Sequence, residues 1–364
     1  MSRVHPTRHR CGDGSVTQRV TFAVPGDLAT PTGGYAYDRR VIAELRTLGW
    51  QVDALDIDNC FPRPNDAQRA VARYILETTS QETPLVIDGL AYGVMPEIAA
   101  ELAKTHVIIA LVHHPLALET GVGAAEANAL RQSESDALSH AKRVVVTSAS
   151  TADILLADYG VATNKITVAE PGHDAVAQAT GSSDGIVRIL TVGSIVPRKG
   201  YDVLIAALTQ LTDLPWRLTI AGDPTRDPQT AAALDATIAK ANLGPRINLR
   251  GILTDDELAA AYCESDVFVQ ASLFEGYGMA AASAIAHGLP IVATSGGALG
   301  STVGQAGIVV PPNDAAALAA ALRTMIADPS ERARRRAASQ MAAHKLQSWQ
   351  TTAMQFAAAL EAAT

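Results

Sequence analysis

Short apolar runs alternate along the chain with stretches whose apolar positions recur every three or four residues. Runs of the first kind predict strands over residues 20–24, 52–57, 85–87, 107–112, 143–147 and 165–169. Stretches of the second kind predict helices between them. Tyr37, Val41, Ile42, Leu45 and Leu48 share one helix face, which stops at Gly49. Further helices are predicted over 66–77, 94–103, 124–141 and 150–159, the last ended by Gly160. The run 107–112 is apolar without interruption, the mark of a strand covered on both faces. Strand followed by helix, repeated, predicts a mostly parallel sheet.

The pattern breaks at 175–185, where Ala, Gln, Gly, Ser and Asp follow no period, and restarts with strands over 187–192, 217–221, 247–249, 267–269, 291–292 and 307–310. Thr254 and Glu257 form a capping box opening a helix that runs to Cys263. Residues 314–327, 330–345 and 347–363 are Ala-rich and helical. The predicted fold is therefore α/β, two doubly wound Rossmann-like domains facing a central cleft. The expected division is a flexible arm over 1–17, a first domain over 18–174, a linker over 175–185 and a second domain over 186–345. A last helix over 346–364 is expected to cross back onto the first domain. In such sheets ligands bind beyond the carboxyl ends of the strands.

Composition narrows the function. With 364 residues and 48% apolar content the chain can bury two cores. A net charge of −8 argues against nucleic acid as a partner, and 4% aromatic content argues against stacking platforms for single strands. Cys11, Cys60 and Cys263 are far apart and odd in number, so neither a disulfide framework nor a metal spacing follows, and a reducing cytoplasm is expected. Arg3, Arg8 and Arg10 precede no apolar core, so the start does not read as a secretory signal. No apolar run approaches the roughly 20 residues of a membrane span. Arg332, Arg334, Arg335 and Arg336 read as a solvated helix face, with weak peripheral membrane contact as the alternative.

Candidate chemistry gathers at strand ends. Glu275-Gly276-Tyr277-Gly278-Met279 is a carboxylate on a glycine-bearing loop that feeds a helix start. Unpaired N–H groups there suit a diphosphate, while the carboxylate suits sugar hydroxyls. Arg198 and Lys199 follow the first strand of the second domain, where a lysine can neutralise a leaving diphosphate. Gly33-Gly34 opens the first helix and either admits an anion or forms a tight turn. Ser295-Gly296-Gly297 has the same two readings. His113 and His114 follow the most apolar strand. Neighbours on an extended segment point to opposite sides, so a shared metal is not expected, and His113 is expected to face the cleft. There is no G-x-G-x-x-G fingerprint and no P-loop.

Together these segments resemble the family-4 retaining glycosyltransferases of the two-domain GT-B type, from about residue 20 to the C-terminal helix. The resemblance implies transfer of a hexosyl group, mannose or glucose, from a GDP- or UDP-sugar to a hydroxyl acceptor on a glycan, lipid-linked or small molecule. It implies retention of configuration and no metal or other cofactor, as in surface or storage polysaccharide synthesis. It gives His113, Lys199 and Glu275 the catalytic positions. It places Gly33, Gly34, Ser194, Arg198, Gly276, Tyr277, Gly278, Met279 and Ser283 about the donor, and His114 and Glu119 on the acceptor side. Two positions depart from the family pattern: Ser283 stands where the second glutamate of E-x7-E holds the nucleotide ribose, and Ser194 stands where an arginine is usual. Either loss weakens the grip on the nucleotide. The alternatives are a GT-B protein that binds a nucleotide-sugar without turning it over, and a nucleotide-sugar epimerase.

Overall fold

The computed structural model describes residues 18–364; the arm expected over 1–17 lies outside the described residues. Among the described residues twelve strands form two six-stranded parallel sheets. The first contains β1 (Arg19–Val24), β2 (Gln51–Asp56), β3 (Leu85–Asp88), β4 (Ile108–Val112), β5 (Arg143–Val146) and β6 (Ile166–Val168), in the order β2-β1-β3-β4-β5-β6. The second contains β7 (Val187–Val192), β8 (Trp216–Ala221), β9 (Ile247–Gly251), β10 (Val267–Gln270), β11 (Ile291–Thr294) and β12 (Gly307–Val310), in the order β12-β11-β10-β7-β8-β9. Chain order reverses between β1 and β3 in one sheet and between β7 and β10 in the other, the places where doubly wound sheets open a crevice at their carboxyl ends.

The apolar runs became strands, buried in the middle of each sheet and largely exposed or half-buried at the edge strands β2, β6 and β9. All five residues of β4 are buried, and Ile109 pairs with Val86 on one side while Val112 pairs with Val146 on the other. The capping box at Thr254 and Glu257 has both of its hydrogen bonds, and the helix it opens is Asp255–Cys263. A second box, Asn65 with Gln68, starts helix Asp66–Glu77. The helix expected over 94–103 is shorter, Pro96–Leu102, because proline suits a first helical position and cannot continue an earlier turn. A separate short helix, Gly89–Tyr92, precedes it, capped by the Asp88 side chain.

The last helix, Trp349–Glu361, packs against helix Gly33–Thr47 and the first sheet. Phe356 stacks on Phe22 at 5.4 Å, and Trp349 meets the Tyr37 ring edge at 6.0 Å with the Arg40 guanidinium over its face. Phe356 and Leu360 are fully buried, contacts worth about 1.5–3 kcal/mol each.

Residues 175–185 hold no helix or strand, as the sequence pattern implies, yet they are bound to the second half along their length. Ala179 N–H donates to His287 O, Thr180 N–H to Cys263 O, and Arg336 Nη1 to Ala179 O. Their polar composition satisfies backbone groups rather than leaving a loose tether. The arginine run on helix Pro329–Ala343 is also engaged within the chain. Arg332 bonds Met325 O, Arg335 pairs with Glu331, and Arg336 holds the 175–185 segment. Arg334 alone of the four is largely exposed, and it too pairs with Glu331. Among the described residues no helix is long and apolar enough to cross a membrane.

Candidate functional site

The loops that leave β7 and β10 meet at the reversal point of the second sheet. Gly193 leads out of β7, Pro197–Lys199 make one 3-10 turn, and Gly200 at φ 62° opens helix Tyr201–Leu208. A Cβ on Gly200 would stand 2.2 Å from Ala271 O, so only glycine lets the two loops touch. The Lys199 stem lies across Gly193, where a Cβ would sit 2.9 Å from Lys199 Cε.

This packing delivers Lys199 Nζ to 2.6 Å from Glu275 Oε1. The same oxygen accepts from Gln270 Nε2 at 2.8 Å and Ser272 Oγ at 2.6 Å. Arg198 Nη1 lies 3.3 Å from Glu275 Oε2 and donates to Phe274 O. Burial pushes the Glu275 carboxyl up, but the charges of Lys199 and Arg198 prevail and hold it well below the usual carboxylate range. Burial and the neighbouring Arg198 lower the Lys199 ammonium, with Glu275 opposing them.

Beyond Glu275 the chain reaches Gly278 at φ 97° and helix Met279–Ala286. No side chain caps this helix, and the N–H groups of residues 276–281 make no hydrogen bond among the described residues. They form a row of free donors beside two cations, an arrangement that suits a diphosphate. The loop Ser295–Gly297 packs against the Glu275 loop. Cβ atoms on Gly296 and Gly297 would strike the carbonyls of Leu273 and Glu275, and Ala298 N–H donates to Glu275 O. It braces the Glu275 loop, as a turn would.

The first sheet supplies the opposite wall. His113 directly follows β4. Its Nε2 lies 3.2 Å from Asp38 Oδ1 and 3.5 Å from Asp88 Oδ2. Asp38 is fully buried on helix Gly33–Thr47, and Asp88 ends β3. Burial alone would lower the imidazole, but the two carboxylates raise it to about 10. The pair thus favours charge on His113, although burial also pushes the Asp38 carboxyl up and neither His113 Nε2 nor the Asp38 oxygens make a hydrogen bond among the described residues; the His113 side chain is 18% exposed. One ligand atom from each of Asp38, Asp88 and His113 lies within 4.8 Å of the others, a donor set that a divalent cation could also take.

His114 points the other way, as expected for neighbours on an extended segment, with Nε2 3.2 Å from Glu119 Oε2. Glu119 Oε1 in turn meets Arg198 Nε at 3.2 Å, which joins the two halves across the cleft. Gly276 lies against the His113 carbonyl, where a Cβ would stand 2.0 Å from the oxygen, and Thr151 Oγ1 donates to Gly276 O. Met279 packs on the core of the first sheet and approaches Gly33, while Gly34 lies against the His113 ring. Tyr277 stacks on His173 at 6.5 Å.

The structure therefore brings His113, His114, Glu119, Arg198, Lys199, Glu275, Gly276, Tyr277, Gly278, Met279, Gly33 and Gly34 to one cleft. Ser194 sits on the loop just before the 3-10 turn, flanked by Gly193 and by Ile195, whose N–H donates to Asp223 O. Ser283 lies farther along helix Met279–Ala286, and the neighbouring Tyr262 hydroxyl donates to Ala280 O. The sequence reading did not name Asp38, Asp88, His173, Gln270 or Ser272. Asp38 had a signal, a charge on the buried stripe that includes Val41, Ile42 and Leu45. Asp88 had another, a carboxylate at the carboxyl end of a buried strand. Two open concavities of about 580 Å³ each lie away from this cleft. In the first of them Arg188 and Arg250 already pair with Asp184 and Glu257.

Residues 187–328 match the family model described as Glycosyl transferases group 1. Glycogen synthase of Mycobacterium tuberculosis is 33% identical over 245 residues, covering 65% of this chain and 56% of that protein. An MMP alpha-(1->4)-mannosyltransferase from Mycolicibacterium hassiacum is 29% identical over 275 residues, covering 70% of this chain and 65% of the relative. The chain thus matches little more than half the length of the glycogen synthase. Among solved structures, sucrose-phosphate synthase from Thermosynechococcus elongatus superposes with a TM-score of 0.79 at 21% identity, covering 94% of this chain and 98% of the other. Anabaena Alr3699/HepE in complex with UDP-glucose superposes at 0.76 and 17% identity, covering 94% and 99%. The fold is that of the GT-B glycosyltransferases.

Proposed function

We propose that this chain is a retaining, family-4-type glycosyltransferase that moves a hexosyl group from a nucleoside diphosphate sugar to a hydroxyl acceptor without a catalytic metal. The observation that carries this reading is the junction of Lys199, Arg198 and Glu275 with the free N–H groups of residues 276–281. The cations and the helix start supply the positive charge a diphosphate needs on departure. Glu275 and the adjoining N–H groups hold the sugar. The His113 imidazolium presents Nδ1–H to a sugar hydroxyl from the opposite wall. The glycosidic carbon–oxygen bond breaks with its electron pair passing to the departing phosphate. The acceptor oxygen attacks the same face of the sugar, and its proton passes to that phosphate oxygen. A glycoside and a nucleoside diphosphate result, with configuration retained. Mannose or glucose from GDP or UDP is the donor choice that the similar mannosyltransferase and the UDP-glucose complex support.

Ser194 and Ser283 favour the one competing reading, a protein that binds the donor without turning it over. Each offers a short hydroxyl where the resemblance leads one to expect a charged contact worth about 1.5–3 kcal/mol. Incubation with GDP-mannose or UDP-glucose and a panel of sugar acceptors, read by release of the nucleoside diphosphate and by the anomeric configuration of the product, separates the readings. Release with retained configuration supports transfer. Donor binding without release at any acceptor concentration supports the binding protein, and an inverted product contradicts the mechanism.

A further inference from the structure

We propose that Glu119 is an internal competitor of the donor: its carboxylate occupies the Arg198 guanidinium across the cleft and must leave when the donor diphosphate arrives. This rests on the donor-site reading above and adds a control on that site. Arg198 is largely buried, and among the described residues its Nη1 is spent on Phe274 O and Glu275, while Nε faces Glu119. A phosphate gripping the fork of Nε and Nη2 in two parallel hydrogen bonds needs the position that Glu119 Oε1 now holds. Charge points the same way. Arg198 and Lys199 are balanced by Glu275 and Glu119, so a diphosphate added with Glu119 in place would meet uncompensated negative charge.

Glu119 has somewhere to go. Its Oε2 already faces His114 Nε2, and Thr120 N–H donates to Oε1. Its loop is anchored independently, by Leu116 N–H donating to the buried Glu134. Burial pushes the Glu119 carboxyl up, but the hydrogen bond from His114 and the charge of Arg198 bring it down to about 2, so the competitor is ionised throughout the working pH range. Release of Arg198 leaves the Glu119–His114 pair on the acceptor wall, so the arrival of the donor breaks the ion pair that ties that wall to the donor side.

The test is titration calorimetry of GDP, UDP and inorganic pyrophosphate against the full chain, its Glu119→Gln variant and a Glu101→Gln control. Glu101 pairs with Lys104 on the surface, so its variant makes the same change in net charge outside the cleft. Because the Glu119 side chain is 43% exposed, a gain at the lower end of a charge-assisted contact is expected. Glu119→Gln should bind these ligands about 5- to 10-fold more tightly, with the gain shrinking in 1 M salt. Glu101→Gln should match the unaltered chain. Equal or weaker binding by Glu119→Gln, or an equal gain in the control, overturns the competitor while leaving the donor site intact. Absence of binding to every form at millimolar ligand overturns the donor-site reading and the competitor with it.

Discussion

Lys199 Nζ and Glu275 Oε1 stand 2.6 Å apart, although 76 positions separate them in sequence. The contact is made by two loops at the reversal point of the second sheet, and three donors converge on one carboxylate oxygen. A buried carboxylate that accepts from Lys, Gln and Ser is fixed in position before any ligand arrives. Lys199→Ala should therefore lower kcat by about 10²- to 10³-fold. Glu275→Gln should cost about 3–5 kcal/mol of stability, because it leaves the buried Lys199 ammonium without its carboxylate and Arg198 with Glu119 alone. A double-mutant cycle by denaturant melts should show coupling between the two, and simple additivity would mean the pair is not a unit.

Gly276→Ala tests whether the two halves work pressed together. The new methyl would meet the His113 carbonyl, a backbone atom that cannot turn aside. The residue lies at the cleft rather than in a core, so Tm should change little while turnover falls at least 10-fold. Unchanged turnover would show that the closed arrangement is not the reacting one.

Asp38→Asn tests the charge on His113. In the native chain the imidazole titrates near pH 10, so activity should be level from pH 6 to 8. Removing the Asp38 charge lowers that value, and activity should then decline as pH rises through the new, lower value. A pH–kcat/KM profile identical to that of the native chain would mean that His113 does not act as a cation.

Much of this fold was legible in the sequence. Strand β4 was a bare apolar run and the Thr254 box was a local signal, so neither needed the rest of the chain. The helix Pro228–Lys240 falls between two predicted strands, as the alternation implies, but its bounds were not legible, since Leu234 and Ile238 are its only buried residues and leave no clear stripe. Glu275, Arg198 and Lys199 were visible as loop chemistry at strand ends. The partners of His113 were not, because Asp38 and Asp88 come from a helix and a strand that meet it only in the folded sheet. The bond from Glu119 to Arg198 was hidden for the same reason, since each residue had its own local reading and nothing in sequence joins them.

Glu134 offers a test that is independent of catalysis. It is buried beneath the loop that carries Glu119, one oxygen accepting from Leu116 N–H and the other without a hydrogen-bond partner. Burial raises its carboxyl to about 8, against the hydrogen bond from Leu116. A value raised on folding favours the protonated form. Its contribution is therefore complete below the unfolded value near 4.5 and is lost as pH rises through about 8. The melting temperature of the native chain should fall over that window relative to Glu134→Gln. Parallel curves would place the carboxyl outside this account.

A thermal-shift panel of GDP-mannose, UDP-glucose, UDP-galactose, UDP-N-acetylglucosamine and dTDP- and ADP-sugars tests the central claim most directly, because a ligand that binds the folded state raises its melting temperature by mass action. The account predicts a clear rise with at least one donor, lost in Lys199→Ala. No rise with any donor at millimolar concentration would contradict it.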